Sequence, residues 1–93
     1  MRHRVSNRQL AVALRYQDDK DAAPRVIAKG QGHVAEHILE LARKHGIPVR
    51  EDPDLVQSLA QIDLGETIPA ELYPAVAEVL AYVYRMNQQR AAR

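Results

Sequence analysis

Cysteine is missing from this 93-residue chain, which removes a disulfide framework and any thiolate zinc site and agrees with a reducing compartment. An excess of one charge is missing as well. Thirteen Lys and Arg stand against twelve Asp and Glu, for a net charge of +1, so no global field draws nucleic acid or an anionic membrane. No apolar run approaches the roughly 20 residues that span a bilayer, and the start at Met1 lacks a basic-then-apolar leader. Together these absences lead to the expectation of a cytoplasmic protein with no direct membrane insertion. No internal repeat or low-complexity tract interrupts the chain. Its length suits one domain with a thin stability margin over its surface cost, which argues against a cleft enzyme carrying its own cofactor domain.

What is present is a succession of periodicities. Leu10, Val12, Leu14 and Tyr16 alternate with Ala11, Ala13 and Arg15, the period of a strand, and the small residues of the second face imply that it too is covered. A polar stretch, Gln17 to Asp21, leads through Ala22, Ala23 and Pro24 to a second strand, Arg25 to Lys29, cut off at Gly30. From Gly32 the period becomes helical, with Val34, Ile38, Leu41 and Ala42 on one face and Lys44, His45 and Gly46 as a C-terminal stop. Ile47 to Glu51 reads as a third strand. Asp52 and Pro53 form an N-cap and first-turn pair for a second helix that turns Leu55, Val56, Leu59 and Ala60 inward. Asp63 to Thr67, containing Gly65, breaks it. A third helix from Pro69, with Glu71 in its first turn, buries Leu72, Val76, Val79, Leu80 and Val83. Pro74 inside that pattern predicts either a separate turn over 69–73 or a kink.

The expected fold is therefore α/β, a small mixed sheet of three to four strands packed with three to four helices. Its first two strands are antiparallel, and the second and third are parallel across the first helix. Residues 1–9 form a polar lead-in, 10–86 the globular domain and 87–93 a frayed basic tail. At least one edge of so narrow a sheet is open.

Several short motifs resemble chemistry that the rest of the chain does not support. His33 to His37, "HVAEH", matches the H-x-x-E-H of inverted zincins. A third protein ligand has no evident source, so the expectation is a solvated helix face, no metal and no cofactor, although His33 and His37 remain open to adventitious nickel or zinc. Asp18 to Asp21, "DDKD", lacks the Gly and the distant Glu of a calcium loop. "KGQGH" lacks the Lys-Ser/Thr of a phosphate loop, leaving Gly30 and Gly32 to free the backbone between strand and helix. Arg2, Arg4, Arg8, Arg90 and Arg93 lie at the two ends without aromatic interleaving, so nucleic acid is not an expected partner.

The runs "AVALRY", "APRVIAKG", "ARKHGIPVREDP" and "IPAELYPAVAEVLAYVY", in this order and spacing, closely resemble the cytoplasmic domain of the FlhB/YscU/EscU export-switch proteins of flagellar and injectisome type III secretion. The resemblance covers about Leu10 to Met86. It implies a component of the inner-membrane export gate whose cytoplasmic domain helps select substrates, here a stand-alone homologue with that domain and without the membrane part.

Members of this family carry Asn-Pro-Thr-His just before the "AVAL" strand and cleave themselves between Asn and Pro, a route open because proline has no N–H to attack the Asn side chain. The matching positions here are Ser6, Asn7, Arg8 and Gln9. Asn7 stands one position late and precedes Arg8, whose N–H leaves only slow deamidation, so the resemblance implies a domain that does not cut itself and has no catalytic residues. In the family a further strand precedes this turn and pairs with the sheet, whereas only Met1 to Val5 stands before it here. A vacant edge would take a strand from another chain, such as a truncated membrane FlhB-like protein, or the charged leader shields it; the sequence leaves both open.

The family also implies a small apolar pocket for the hydrophobic signal of early export substrates. It matches Ala23, Pro24, Ala77 and Leu80 here, of which Ala77 and Leu80 equally suit plain helix packing. The implied function is a soluble accessory or substitute for the cytoplasmic domain of the export gate, peripheral at the inner membrane, with export-gate proteins and early substrates as partners. The alternative is a partner-binding module acting outside secretion.

Overall fold

The computed structural model describes residues 9–17 and 19–91. Strand β1 (Leu10–Arg15) pairs antiparallel with β2 (Arg25–Gln31). Helices α1 (His33–Lys44) and α2 (Pro53–Leu59) follow, then a 3-10 turn (Ala70–Leu72) and α3 (Tyr73–Ala91). The ladder runs from Leu10 opposite Gln31 to Ala13 opposite Ala28, then skips so that Leu14 faces Val26. Ile27 is the extra, exposed residue of this bulge.

The two faces of the hairpin are covered by different helices. Val12 and Leu14 pack against the central cluster of Ala23, Leu55, Leu59, Ile68 and Val76, to which Leu72, Val79 and Leu80 add from the other side. The opposite face is lined by Ala11, Ala13, Ala28 and Gly30, and α1 lies on it. Val34 occupies the place where a side chain on Gly30 would stand, so the small residues of this face bring helix and sheet close together. Ala35 is the fully buried residue of α1, while Val34 is 56% exposed and Leu41 is also exposed. The inward face is thus centred on Ala35 with Leu39 and the expected Ile38 and Ala42 half-buried, whereas Val34 and Leu41 of the expected face are exposed.

The third strand is a correction. Helix α1 ends in a Schellman motif: Gly46, at φ 67°, donates to the Arg43 carbonyl at 3.2 Å, and Ile47 donates to that of Ala42 at 2.8 Å. Pro48 has no N–H. Two successive donors are therefore lost to any ladder, and residues 47–52 take no strand pairing. The segment is held instead by the Arg50 guanidinium, 5.5 Å from the centre of the Tyr82 ring.

With that strand absent, no parallel crossover forms among the described residues. The outer edge of β2 is met by Gly65 to Ile68, which overlaps the Asp63–Thr67 stretch that reads as a helix break. Val26 donates to Glu66 O at 3.0 Å, Gly65 to Val26 O at 2.7 Å and Ile68 to Pro24 O at 3.0 Å, around an antiparallel bridge between Arg25 and Thr67.

The helix boundaries follow local chemistry. Asp52 Oδ1 accepts the Leu55 N–H at 3.1 Å with Pro53 in the first turn of α2. Pro74 does not kink α3, because it falls in the helix's first turn, where its missing N–H has no intrahelical partner to lose. A 3-10 turn precedes it, as the first of the two expected arrangements. Helix α3 continues past Met86, where fraying is expected, to Ala91. Gly30 lies inside β2 and Gly32, at φ 62°, sits at the N-cap of α1. No helix among the described residues is long and apolar enough to cross a membrane.

Candidate functional site

Ala23 and Pro24 lie where the β1–β2 connection enters β2, and both are buried. Ala23 is 4% exposed within the central cluster. The connection is closed at one end by Gln17, whose carbonyl accepts the Lys20 N–H at 2.9 Å and the Asp21 N–H at 2.7 Å. At the other end the Ile68 N–H holds the Pro24 carbonyl, and Arg25 Nη1 donates to Gly65 O at 2.8 Å. The backbone on both sides of Ala23 and Pro24 is thus tied by hydrogen bonds, from main chain and side chain alike.

Across the cluster, Leu80 of α3 is half-buried and packs against the same residues. Ala77 lies one turn before it on the same side of the helix and is exposed. Three of the four positions therefore belong to one apolar neighbourhood or its lining, and the fourth lies on the exposed surface of α3. The spacing 73, 77, 80, 84 places Tyr73 and Tyr84 on the same helical stripe. Both are exposed, Tyr84 at 65%, with Tyr84 Oη accepting from Gln88 Nε2 at 2.8 Å. The small Ala77 thus separates two outward tyrosines. The sequence reading passed over them; the i, i+4, i+7, i+11 spacing of the stripe is the signal that identifies them.

The remaining candidate positions are elsewhere. Ser6, Asn7 and Arg8 lie outside the described residues. Gln9 begins the hairpin, its carbonyl accepting the Gly32 N–H at 2.8 Å. His33 and His37 are exposed on α1, with His33 Nδ1 3.7 Å from Glu36 Oε1. Among the described residues no group of three or more His, Cys, Asp or Glu side chains is arranged to hold a metal ion. The outer edge of β1 carries no strand among the described residues.

Comparison with known proteins places this arrangement in context. The profile described as the FlhB HrpN YscU SpaS Family matches residues 6–83. The chain is 45% identical over 78 residues to the uncharacterized protein YlqH of Bacillus subtilis (strain 168), covering 84% of each. It is 51% identical over 79 residues to the flagellar biosynthetic protein FlhB of Yersinia enterocolitica, covering 84% of this chain and 21% of that one, so it spans about a fifth of that relative. The crystal structure of the cytoplasmic domain of FlhB from Shewanella putrefaciens superposes with a TM-score of 0.83 at 41% identity, over 90% of this chain and 66% of the other.

Proposed function

This chain belongs to the FlhB HrpN YscU SpaS family, and on that premise we propose that it is an accessory or substitute for the cytoplasmic domain of the type III export gate. The observation that carries this reading is the match of fold and sequence to the cytoplasmic domain of FlhB over nine-tenths of the chain. In this role it works by binding and not by catalysis. Early export substrates place an apolar signal residue in the depression between Ala23–Pro24 and the Ala77–Leu80 side of α3, and export-gate proteins hold the domain at the inner-membrane apparatus from the cytoplasmic side.

Physical chemistry supports the placement. A shallow apolar recess with rigid backbone walls recognises a single inserted side chain at low ordering cost, and Ala77 is the position where small size leaves room between Tyr73 and Tyr84. The outer edge of β1, which carries no strand among the described residues, supports a second contact in which a truncated membrane FlhB-like protein adds a strand by main-chain hydrogen bonds.

Substitution of Ala77 tests the site. Because Ala77 is exposed, Ala77→Phe is expected to leave thermal stability within about 0.5 kcal/mol of the parent while weakening binding of a peptide carrying an early-substrate export signal. Leu80→Ala, which removes packing from the central cluster, is expected to cost about 1–3 kcal/mol, less than a fully buried leucine. An Ala77→Phe protein that binds the peptide as well as the parent removes the recess from the account.

A further inference from the structure

Asp21 is the buried charged residue of the described chain. Its side chain is 4% exposed, and it stands in a loop two residues before Ala23. Its Oδ2 accepts the Gln17 N–H at 3.0 Å while its own N–H returns to the Gln17 carbonyl at 2.7 Å. Oδ1 faces two guanidinium groups at ion-pair range, Arg25 Nε at 3.7 Å and Arg15 Nη2 at 3.9 Å, one from each strand of the hairpin.

A carboxylate taken out of water is costly unless its lone pairs are met. Here the partners come from three places: the last residue of β1, the first of β2 and the turn between them. Their common effect is to hold the two strand ends and the intervening loop in a single geometry. That geometry is what turns Ala23 and Pro24 into the wall. The far side of the wall is fixed by main-chain bonds from Gly65 to Ile68, but on the near side Asp21 is the side chain that spans the gap.

We propose that Asp21 is a positioning residue for the apolar recess: it touches no ligand and sets the placement of Ala23 and Pro24 opposite α3, so that the recess is formed before an apolar side chain enters. This rests on the recess reading above. Ordering a loose wall at the moment of binding would subtract directly from affinity, and Asp21 removes that cost in advance.

The experiment compares the parent with Asp21→Asn and Asp21→Ala, each measured well below its own unfolding temperature. Affinity for a peptide bearing an apolar export signal is read beside the amide exchange rates of Gln17 and Ile68. Asn keeps a carbonyl oxygen for the Gln17 N–H and loses the charge facing the two arginines; Ala loses both. Asp21→Ala is expected to speed Gln17 exchange and weaken the peptide about tenfold, the equivalent of one strong hydrogen-bonded contact. Asp21→Asn is expected to recover to within about threefold of the parent. A merely structural role would lower the unfolding temperature and leave the affinity of folded protein unchanged, and that result overturns the proposal. If Asp21→Ala does not fold, Asp21→Ser takes its place: accelerated Gln17 exchange together with a weakened peptide supports the positioning contact, and parental affinity refutes it. A parent that binds no such peptide refutes the recess itself, an outcome separate from a parent that binds while Asp21→Ala binds equally well, which refutes Asp21.

Discussion

Lys29 presents the most direct test of how the hairpin holds the second layer. It lies opposite Val12 in the ladder and sends its ammonium across to the end of α2, where Nζ donates to Ala60 O at 3.0 Å and to Ile62 O at 2.7 Å. These are carbonyls that the helix and the turn after it cannot use themselves. Lys29→Met keeps the length and apolar body of the side chain and removes the charge and the donors. A hydrogen bond to a charged group contributes about 1.5–3 kcal/mol, and a cation at a helix C-terminus about 0.3–1 kcal/mol. The two bonds share one ammonium and the freed carbonyls regain some water, so the terms do not add, and the expected loss is about 2 kcal/mol. For a domain of this size that lowers the midpoint by about 8–16 °C. Urea and thermal unfolding would measure it, with Lys29→Arg as a partner that retains charge. A Met variant within about 0.5 kcal/mol of the parent would show that the ammonium does not tie the hairpin to α2, and the packing argument would have to rest on apolar contacts alone.

Three further outcomes follow from other parts of the molecule. Gly30→Ala would place a Cβ 2.8 Å from the Val34 Cβ and 3.2 Å from the Val34 carbonyl carbon, forcing α1 away from the sheet; we expect a loss of about 1–3 kcal/mol in chemical denaturation, recovered in part by Val34→Ala. Chelators should leave the melting temperature unchanged, since His33 and His37 are exposed on α1 and folding stores no metal-binding energy there; a drop of several degrees would reinstate a metal site. Intact-mass measurement after long incubation at neutral pH should find an uncut chain, because no Asn-Pro pair occurs in the sequence; a break between Ser6 and Leu10 would contradict this.

The parts legible in the sequence were those governed by one side chain or one period. Asp52 and Pro53 announce the start of α2, Pro74 narrows the start of α3 to a separate turn or a kink, of which the turn forms, and the alternation from Leu10 to Tyr16 marks a strand that ends at Arg15 and whose small-residue face meets α1. Where main-chain bonding decides, the side-chain pattern is silent. Ile47 to Glu51 looks like a strand, but its first donor is used by the Schellman cap and its second residue is proline. Asp63 to Thr67 looks like a helix break, but from Gly65 onward the backbone pairs with β2. On α1 the alanine-and-glycine face of the sheet buries Ala35 fully, while Val34 sits at the rim over Gly30 and stays 56% exposed. Within the site, the resemblance pointed to Ala77 and Leu80, whereas periodicity could not separate the exposed Ala77 from the core; the flanking tyrosines share its stripe without being apolar enough to draw notice.

The stitch between β2 and residues 65–68 determines whether the proposed recess can be moved elsewhere. The Arg25–Gly65 contact closes a loop of about forty residues that includes α1 and α2. In a flexible chain such a closure costs about 3 kcal/mol, a figure that grows only slowly with length, and the packing of both helices has to offset it before Ala23 and Pro24 face anything. A peptide cut from Leu10 to Gln31 would carry two of the four matched residues and no recess, and grafting that hairpin onto another scaffold would transfer letters without the shape. Removing one residue inside 65–68 would shift the donors of Gly65 and Ile68 and the Glu66 acceptor out of register with β2. The proposed recognition surface depends on this closed ring, yet Ala23, Pro24, Ala77 and Leu80 all lie outside residues 25–65, so the smallest unit that can be transplanted runs from the hairpin through α3.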